Sequence, residues 1–205
     1  TKLDSASDGG RLILLTFDDG GKSAMHIADR IESRGWRGHF FVTTNQIGTK
    51  YFLSAGEIRE LCARGHIVGA HTHTHSCPFM CLSRERQIQE FADSIKVLTD
   101  IIQEEVTTGS IPGGDATRET FQNIAERGLR YCFTSEPTTR PTRIGGTVFL
   151  GRVCPKNTTP VETVAQLAKF RGILRQQPVR FAKRVVKRIV YSFRGVSASP
   201  FERHE

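Results

Sequence analysis

The sequence predicts an α/β fold whose parallel strands take a barrel-like arrangement, and three observations carry that expectation. Short apolar runs that read as strands alternate with stretches that read as helices. They recur at intervals of about 25 to 40 residues, the rhythm of parallel strands joined by right-handed crossovers. No GxGxxG follows the first strand, and no P-loop occurs anywhere in the 205 residues. The turn after the first strand carries two acids, Asp18 and Asp19, which would repel a phosphate. Open nucleotide-binding sheets therefore lose ground to a barrel.

Each element has its own signal. Leu12 to Phe17 is a short, mostly apolar run, the pattern of a strand buried on both faces. Ser23 reads as the N-cap of a helix to about Arg34, which Gly35 stops. Gly38 to Thr44 reads as the second strand. Ser54 opens another helix, with Glu57 three residues on as in a capping box, and Gly65 ends it. His66 to His71 is the third strand, and Ser83 caps a long helix reaching about Gln103. A short strand from Val106 to Gly109 and a helix from about Ala116 to Arg127 follow. Strands at Arg130–Ser135 and Gly146–Arg152 come next, and a helix from about Val161 to Gln176 closes the body. There is no internal repeat.

Composition narrows the function classes. The length suits one domain, with enough chain to bury a core. No run of about 18 apolar residues could span a bilayer, and no secretory leader is visible in a chain that opens at Thr1. The net charge is +8, but nine basic residues from Arg171 onward against two acidic ones account for +7 of it. The body lacks the basic face that a nucleic-acid binder needs, so nucleic acid is not an expected partner. The cysteines, Cys62, Cys77, Cys81, Cys132 and Cys154, are odd in number and irregular in spacing, and read as free thiols rather than a disulfide framework. Cys77 and Cys81 could instead pair or bind metal.

The chemistry-bearing residues gather at strand ends, where parallel α/β folds place their sites. Asp18 and Asp19 follow the first strand, and "HTHTH", with His71, His73 and His75, follows the third. Imidazole and carboxylate with an open position left for water is the donor set of a catalytic divalent metal. On a helical turn His71 and His75 share a side. In extended chain all three histidines do. One aspartate would complete the ligands, leaving the other as a general base. Gly20 and Gly21 let the backbone turn sharply and leave room for substrate.

"TFDDG", followed about fifty residues later by "HTHTH" in the pattern H-[ST]-x-x-H, resembles the polysaccharide deacetylase family, the NodB-homology or carbohydrate esterase 4 family. "SIPGGDATRETFQNIAERGLRYCFTS" is similar to its third motif with the helix and strand after it, so the resemblance spans about Arg11 to Arg152. It implies an incomplete, TIM-barrel-like (β/α)7 barrel. It also implies a divalent metal, zinc before cobalt or nickel, held by Asp19, His71 and His75, with Asp18 as catalytic base. The substrate would be an N-acetylated carbohydrate, the products acetate and a free amine. Thr43 or Thr44 would offer a backbone N–H to the oxyanion, and Pro112 and Gly113 would line the substrate site. Thr72 would hold the loop.

The chain also departs from the family. Ser110 stands where the third motif carries the arginine that orients the base. The late histidine that protonates the leaving amine has no counterpart, since only His204 follows His75. The usual aspartate–tryptophan pair is missing too, the single tryptophan being Trp36. A missing general acid would cost about 10²- to 10⁴-fold in rate. Arg152 is the first candidate to fill in as a catalytic residue, with Asp115 and Glu136 behind it and His73 as a further option. The Ser-x-Pro-Gly-Gly form is similar to deacetylase homologues linked to exopolysaccharide production. The alternatives are a catalytically impaired glycan-binding homologue, or a deacylase or deformylase of a lipid-linked sugar.

The deacetylase-like domain is expected over residues 1–177, with a separate tail over 178–205. Phe181, Val185, Val186, Ile189, Val190 and Phe193 recur at helical spacing between arginines and lysines, a basic amphipathic helix. It reads as a last barrel helix or as peripheral attachment to an anionic membrane. The expected location is accordingly cytoplasmic or peripheral to a membrane.

Overall fold

A computed structural model describes residues 12–114, 116–169 and 171–172. The elements run β1 (Leu15–Phe17), α1 (Ser23–Glu32), β2 (Gly38–Val42), α2 (Ala55–Ala63), β3 (Ile67–Ala70), α3 (Arg84–Ile102), β4 (Thr108–Ser110), α4 (Arg118–Ala125), β5 (Tyr131–Phe133), β6 (Thr142–Ile144), β7 (Thr147–Leu150) and α5 (Val161–Ala168). The seven strands form one curled sheet in the order β1-β2-β3-β4-β5-β7-β6. All neighbours are parallel except β6 and β7. This is the expected incomplete, distorted TIM-like barrel, open between β1 and β6.

The capping signals translate directly. Ser54 accepts from the Glu57 backbone while the Glu57 carboxylate takes the Ser54 N–H, a full capping box at the start of α2. Ser83 accepts from Arg86 N at the start of α3, and Gln103 ends that helix in the left-handed region. Thr117 and Thr120 form a second box at α4. Ser23 differs, because α1 begins one residue earlier with Lys22 at the cap and no side-chain cap bond.

Other differences follow from strand pairing. β1 is an edge strand, partly open along its whole length, and pairs over Leu15–Phe17 only. Leu12 and Ile13 lie exposed, because an apolar run without a partner strand gains no burial. β5 and β7 stay parallel, but the connection between them carries no helix: it runs through β6, which turns into β7 as a hairpin through Gly145 and Gly146. A Gly-Gly pair between two short β-prone runs is a hairpin signal. α5 ends at Ala168 rather than Gln176 and buries none of its residues. The basic tail at 178–205 and Asp115 lie outside the described residues.

The sheet separates two packed layers. On the outer face Phe40, Val42, Val68 and Ala70 join Leu53, Ile58, Leu61, Phe91 and Leu98 in the main core. On the inner face the rings of His39, Phe41 and Phe133 pack on one another at tilted angles. Burial pushes His39 down to about 4, so it is neutral at ordinary pH. Gly69 makes this narrow interior workable. A Cβ there would lie 2.5 Å from Thr108 Oγ1 and 2.8 Å from Phe41 Cδ1. Gly69→Ala is expected to lose about 1–3 kcal/mol by overpacking, read as a lower midpoint in urea with an unchanged slope.

Candidate metal centre

The carboxyl ends of β1 and β3 bring together what the sequence keeps fifty residues apart. Beyond β1 the chain reverses through Asp19 and Gly20, both at positive φ, 74° and 83°. Gly20 is required there, since a Cβ would stand 2.9 Å from Val42 Cγ1 and 3.2 Å from its Cα. The reversal is stitched down by Thr43 N–H donating to Asp19 O (3.2 Å) and Leu53 N–H to Gly20 O (2.9 Å).

Beyond β3 the chain leaves extended geometry at once. Thr72 and His75 both adopt the left-handed region, with φ of 64° and 55°. Thr72 Oγ1 accepts from His75 N–H (3.2 Å), so Thr72 does hold the loop. This folds His71 and His75 onto one side, their ring centroids 4.9 Å apart. His71 Nε2 lies 3.4 Å and His75 Nε2 3.3 Å from Asp19 Oδ1. One donor atom from each of Asp19, His71 and His75 falls within 4.8 Å of the others.

The second layer of contacts sets the tautomer of His71. Its Nδ1 faces Ser110 O (3.0 Å) and Ser110 Oγ (2.6 Å), while Ser110 Oγ donates to Asp18 Oδ1 (3.1 Å). A proton on Nδ1 satisfies this chain and leaves the Nε2 lone pair facing Asp19, the orientation a metal ligand needs. Two imidazoles and one carboxylate with further positions open is a donor set that zinc accepts. The residues therefore fit a divalent ion.

Asp18 is not part of that triad. Its carboxylate lies across from His71, 4.0 Å from Nε2, and is gripped from the other side by Arg152. Nη1 and Nη2 donate to Oδ1 and Oδ2 at 2.7 and 2.8 Å, a fork-on-fork pair. The guanidinium is itself fixed by Nε to Thr134 O (2.9 Å), by Nη1 to Thr16 Oγ1 (3.2 Å), and by packing over Phe41 and Phe133.

These contacts determine the charges. Burial pulls Asp18 and Asp19 upward, yet both stand below the ordinary carboxylate value. His71 and Arg152 outweigh burial at Asp18, and hydrogen bonds from both imidazoles outweigh it at Asp19. Burial pulls His71 and His75 down, but the facing carboxylates win and raise both above their usual value.

Several expected roles change place. Arg152 sits on Asp18, where the family's motif arginine is expected, rather than where a proton donor for the leaving amine would stand. A guanidinium tied to a carboxylate holds its proton too firmly to act as an acid. Thr43 and Thr44 do not offer free amides: Thr43 N–H is bound to Asp19 O and Thr44 N–H to Thr72 O (3.3 Å). Pro112 is buried, whereas Gly113 is exposed at φ 66° beside Cys77. Its neighbour Gly114 packs hard on Ser135. His73 is turned to Thr44 Oγ1 (2.9 Å), and Glu136 meets Arg152 through its backbone carbonyl. None of the five cysteines forms a disulfide. Sequence reasoning treated Ser110 only as a departure and did not single out Thr16. The inward parity of both strand positions was the signal available.

Comparison with known proteins adds a lineage. A sequence model described as polysaccharide deacetylase matches residues 5–132. YxkH of Bacillus subtilis (strain 168), named as a polysaccharide deacetylase, is 27% identical over 128 residues, 62% of this chain. The chain spans 46% of that relative's length. IcaB from Ammonifex degensii is 27% identical with a TM-score of 0.66, over 78% of this chain and 74% of that one. The Streptococcus pyogenes deacetylase PplD, solved with acetate, shares the fold at 19% identity, with a TM-score of 0.65 over 80% and 73% of the two chains.

Proposed function

We propose, from the premise that the chain belongs to the polysaccharide deacetylase family, that it hydrolyses the N-acetyl groups of amino sugars in an oligo- or polysaccharide. The carrying observation is a carboxylate outside the ligand cluster, Asp18, held by Arg152 beside the three donors Asp19, His71 and His75. Asp19, His71 and His75 would hold a divalent ion, zinc by the donor set. When bound, it supplies a Lewis acid for the amide carbonyl and lowers the pKa of water.

The remaining work falls to the chain's own groups. Asp18, ionised across the neutral range, takes the proton of the attacking water. Arg152 fixes the plane of that carboxylate with two parallel hydrogen bonds. Ser110 links the base to His71, so the base and the ligand cluster keep one mutual geometry. Gly113, exposed at the rim beyond β4, leaves space for a sugar ring. The Ser-x-Pro-Gly-Gly form at residues 110–114, similar to deacetylase homologues linked to exopolysaccharide production, supports exopolysaccharide as the substrate class.

Acetate release from N-acetylglucosamine oligomers, with zinc and after chelation, tests this reading. Release that chelation stops and zinc restores is the expected result. No release with zinc, cobalt or nickel across a broad glycan panel would leave a glycan-binding protein.

Zinc uptake also has a predictable pH dependence. The ligand imidazoles must be neutral to bind, and their raised pKa values keep them protonated to higher pH than free histidine. Zinc affinity therefore falls as pH drops through that raised range. Proton release on binding is larger at pH 6 than at pH 8, measurable by calorimetry in buffers of different ionisation enthalpy.

A further inference from the structure

We propose that Glu90, on the third helix and far from the strand ends in sequence, is the positioning residue of the histidine loop, its buried carboxylate holding His75 at the distance a shared metal ion needs. The assignment rests on the reading of Asp19, His71 and His75 as ligands. Glu90 is 1% exposed and serves no step of the hydrolysis. A carboxylate so deep in a fold is costly unless its oxygens are satisfied.

The partners of Glu90 belong almost wholly to the loop. Oε2 accepts from His73 N–H at 3.0 Å and from Thr74 N–H at 2.8 Å. Oε1 accepts from Thr74 Oγ1 at 2.7 Å and from Arg86 at 2.9 Å. Two successive backbone amides turned onto one anion are the nest that left-handed residues create, and Thr72 and His75 supply those conformations on either side.

Left-handed backbone at two non-glycine residues is costly and persists only where the surroundings over-determine it. Two other ties act on the loop's carbonyls: Thr44 N–H to Thr72 O and Asn45 N–H to His73 O (3.0 Å). Glu90 takes two successive amides, those of His73 and Thr74, in the three-residue segment between the two ligand histidines. Freed from it, the segment can relax toward extended geometry, which carries the His75 ring away from Asp19.

Zinc affinity of the purified chain, measured by competition with a colorimetric chelator, tests this. Hydrogen exchange at the His73 and Thr74 amides provides a second readout. Glu90→Gln keeps the size but puts an amide group against donors. It is expected to weaken zinc binding by about 10- to 100-fold and to speed exchange at both amides, with turnover recovering at saturating zinc. Leu98→Ala, on the same helix in the main core, is the control that lowers stability without changing zinc affinity.

Folded Glu90→Gln that binds zinc as tightly as the unaltered chain overturns the assignment and leaves the metal reading standing. Failure of the unaltered chain to take up zinc removes the metal reading and this assignment with it. Should Glu90→Gln not fold, Thr74→Val, which deletes one loop contact, decides: severalfold weaker zinc binding supports the role, and unchanged affinity refutes it.

Discussion

Asp18→Asn lowers turnover of an N-acetylated chito-oligosaccharide by about 10²- to 10⁴-fold, the range for loss of a general base, while zinc binding changes little. The substitution is nearly isosteric. An asparagine oxygen can still accept from Ser110 Oγ and from one arm of Arg152, so the shape of the site survives. What disappears is a group able to take a proton near neutral pH. Two electrostatic effects on zinc oppose each other. Removing an anion 4.0 Å from His71 Nε2 lowers that imidazole's pKa and eases proton competition. It also removes a negative charge beside the cation. Steady-state kinetics with zinc content measured on the same samples checks the result. Asp18→Asn with wild-type turnover would show that another group accepts the proton, and lost zinc would show that Asp18 is a ligand.

The sequence made part of this legible and concealed the rest for definite reasons. Local signals survived folding: the Ser54–Glu57 box and the Ser83 cap are contacts within one turn, which tertiary packing has little reason to override. The two strand ends were legible because chemistry-bearing residues interrupt apolar runs there. Edge status was not, since β1 and β2 are both apolar and only pairing order tells which is buried. The state of the Thr43 and Thr44 amides depends on acceptors in the β1 turn and the histidine loop, and no local pattern records them. Glu90 was hidden most thoroughly. Its i, i+4 partner Arg86 makes it look like half of a solvated helix pair, yet its buried carboxylate faces the loop after β3.

Arg152→Ala is expected to lower kcat/KM by about 10²-fold, the scale on which a misplaced catalytic group by about 1 Å is felt. Among the described residues Asp18 would keep only Ser110 as a hydrogen-bond partner, and its carboxylate could rotate out of line with the cluster. The sign of the pH effect follows. Burial already pulls the Asp18 pKa up, and Arg152 is one of the groups that hold it below 3.8. Without the guanidinium the folded pKa rises, so the base is lost at a higher pH as acid is added, and the acid limb of the profile moves upward.

Arg152→Lys cannot restore the geometry, because a point ammonium does not reproduce a planar fork. Guanidinium ion added to Arg152→Ala can, and partial rescue is the expected outcome. Absence of both rescue and a shifted acid limb would reduce Arg152 to a packing residue on Phe41 and Phe133. The same logic explains Ser110. The family's arginine reaches the base from the end of β4, where this chain has a buried serine, and the guanidinium arrives from the end of β7 instead. A small residue at 110 is compatible with Arg152 because both groups address one oxygen, Oδ1 of Asp18. Arginine at both positions would force two cations onto one carboxylate. Ser110→Arg should therefore damage the unaltered chain and be better tolerated with Arg152→Ala, a coupling that a double-mutant cycle measures directly.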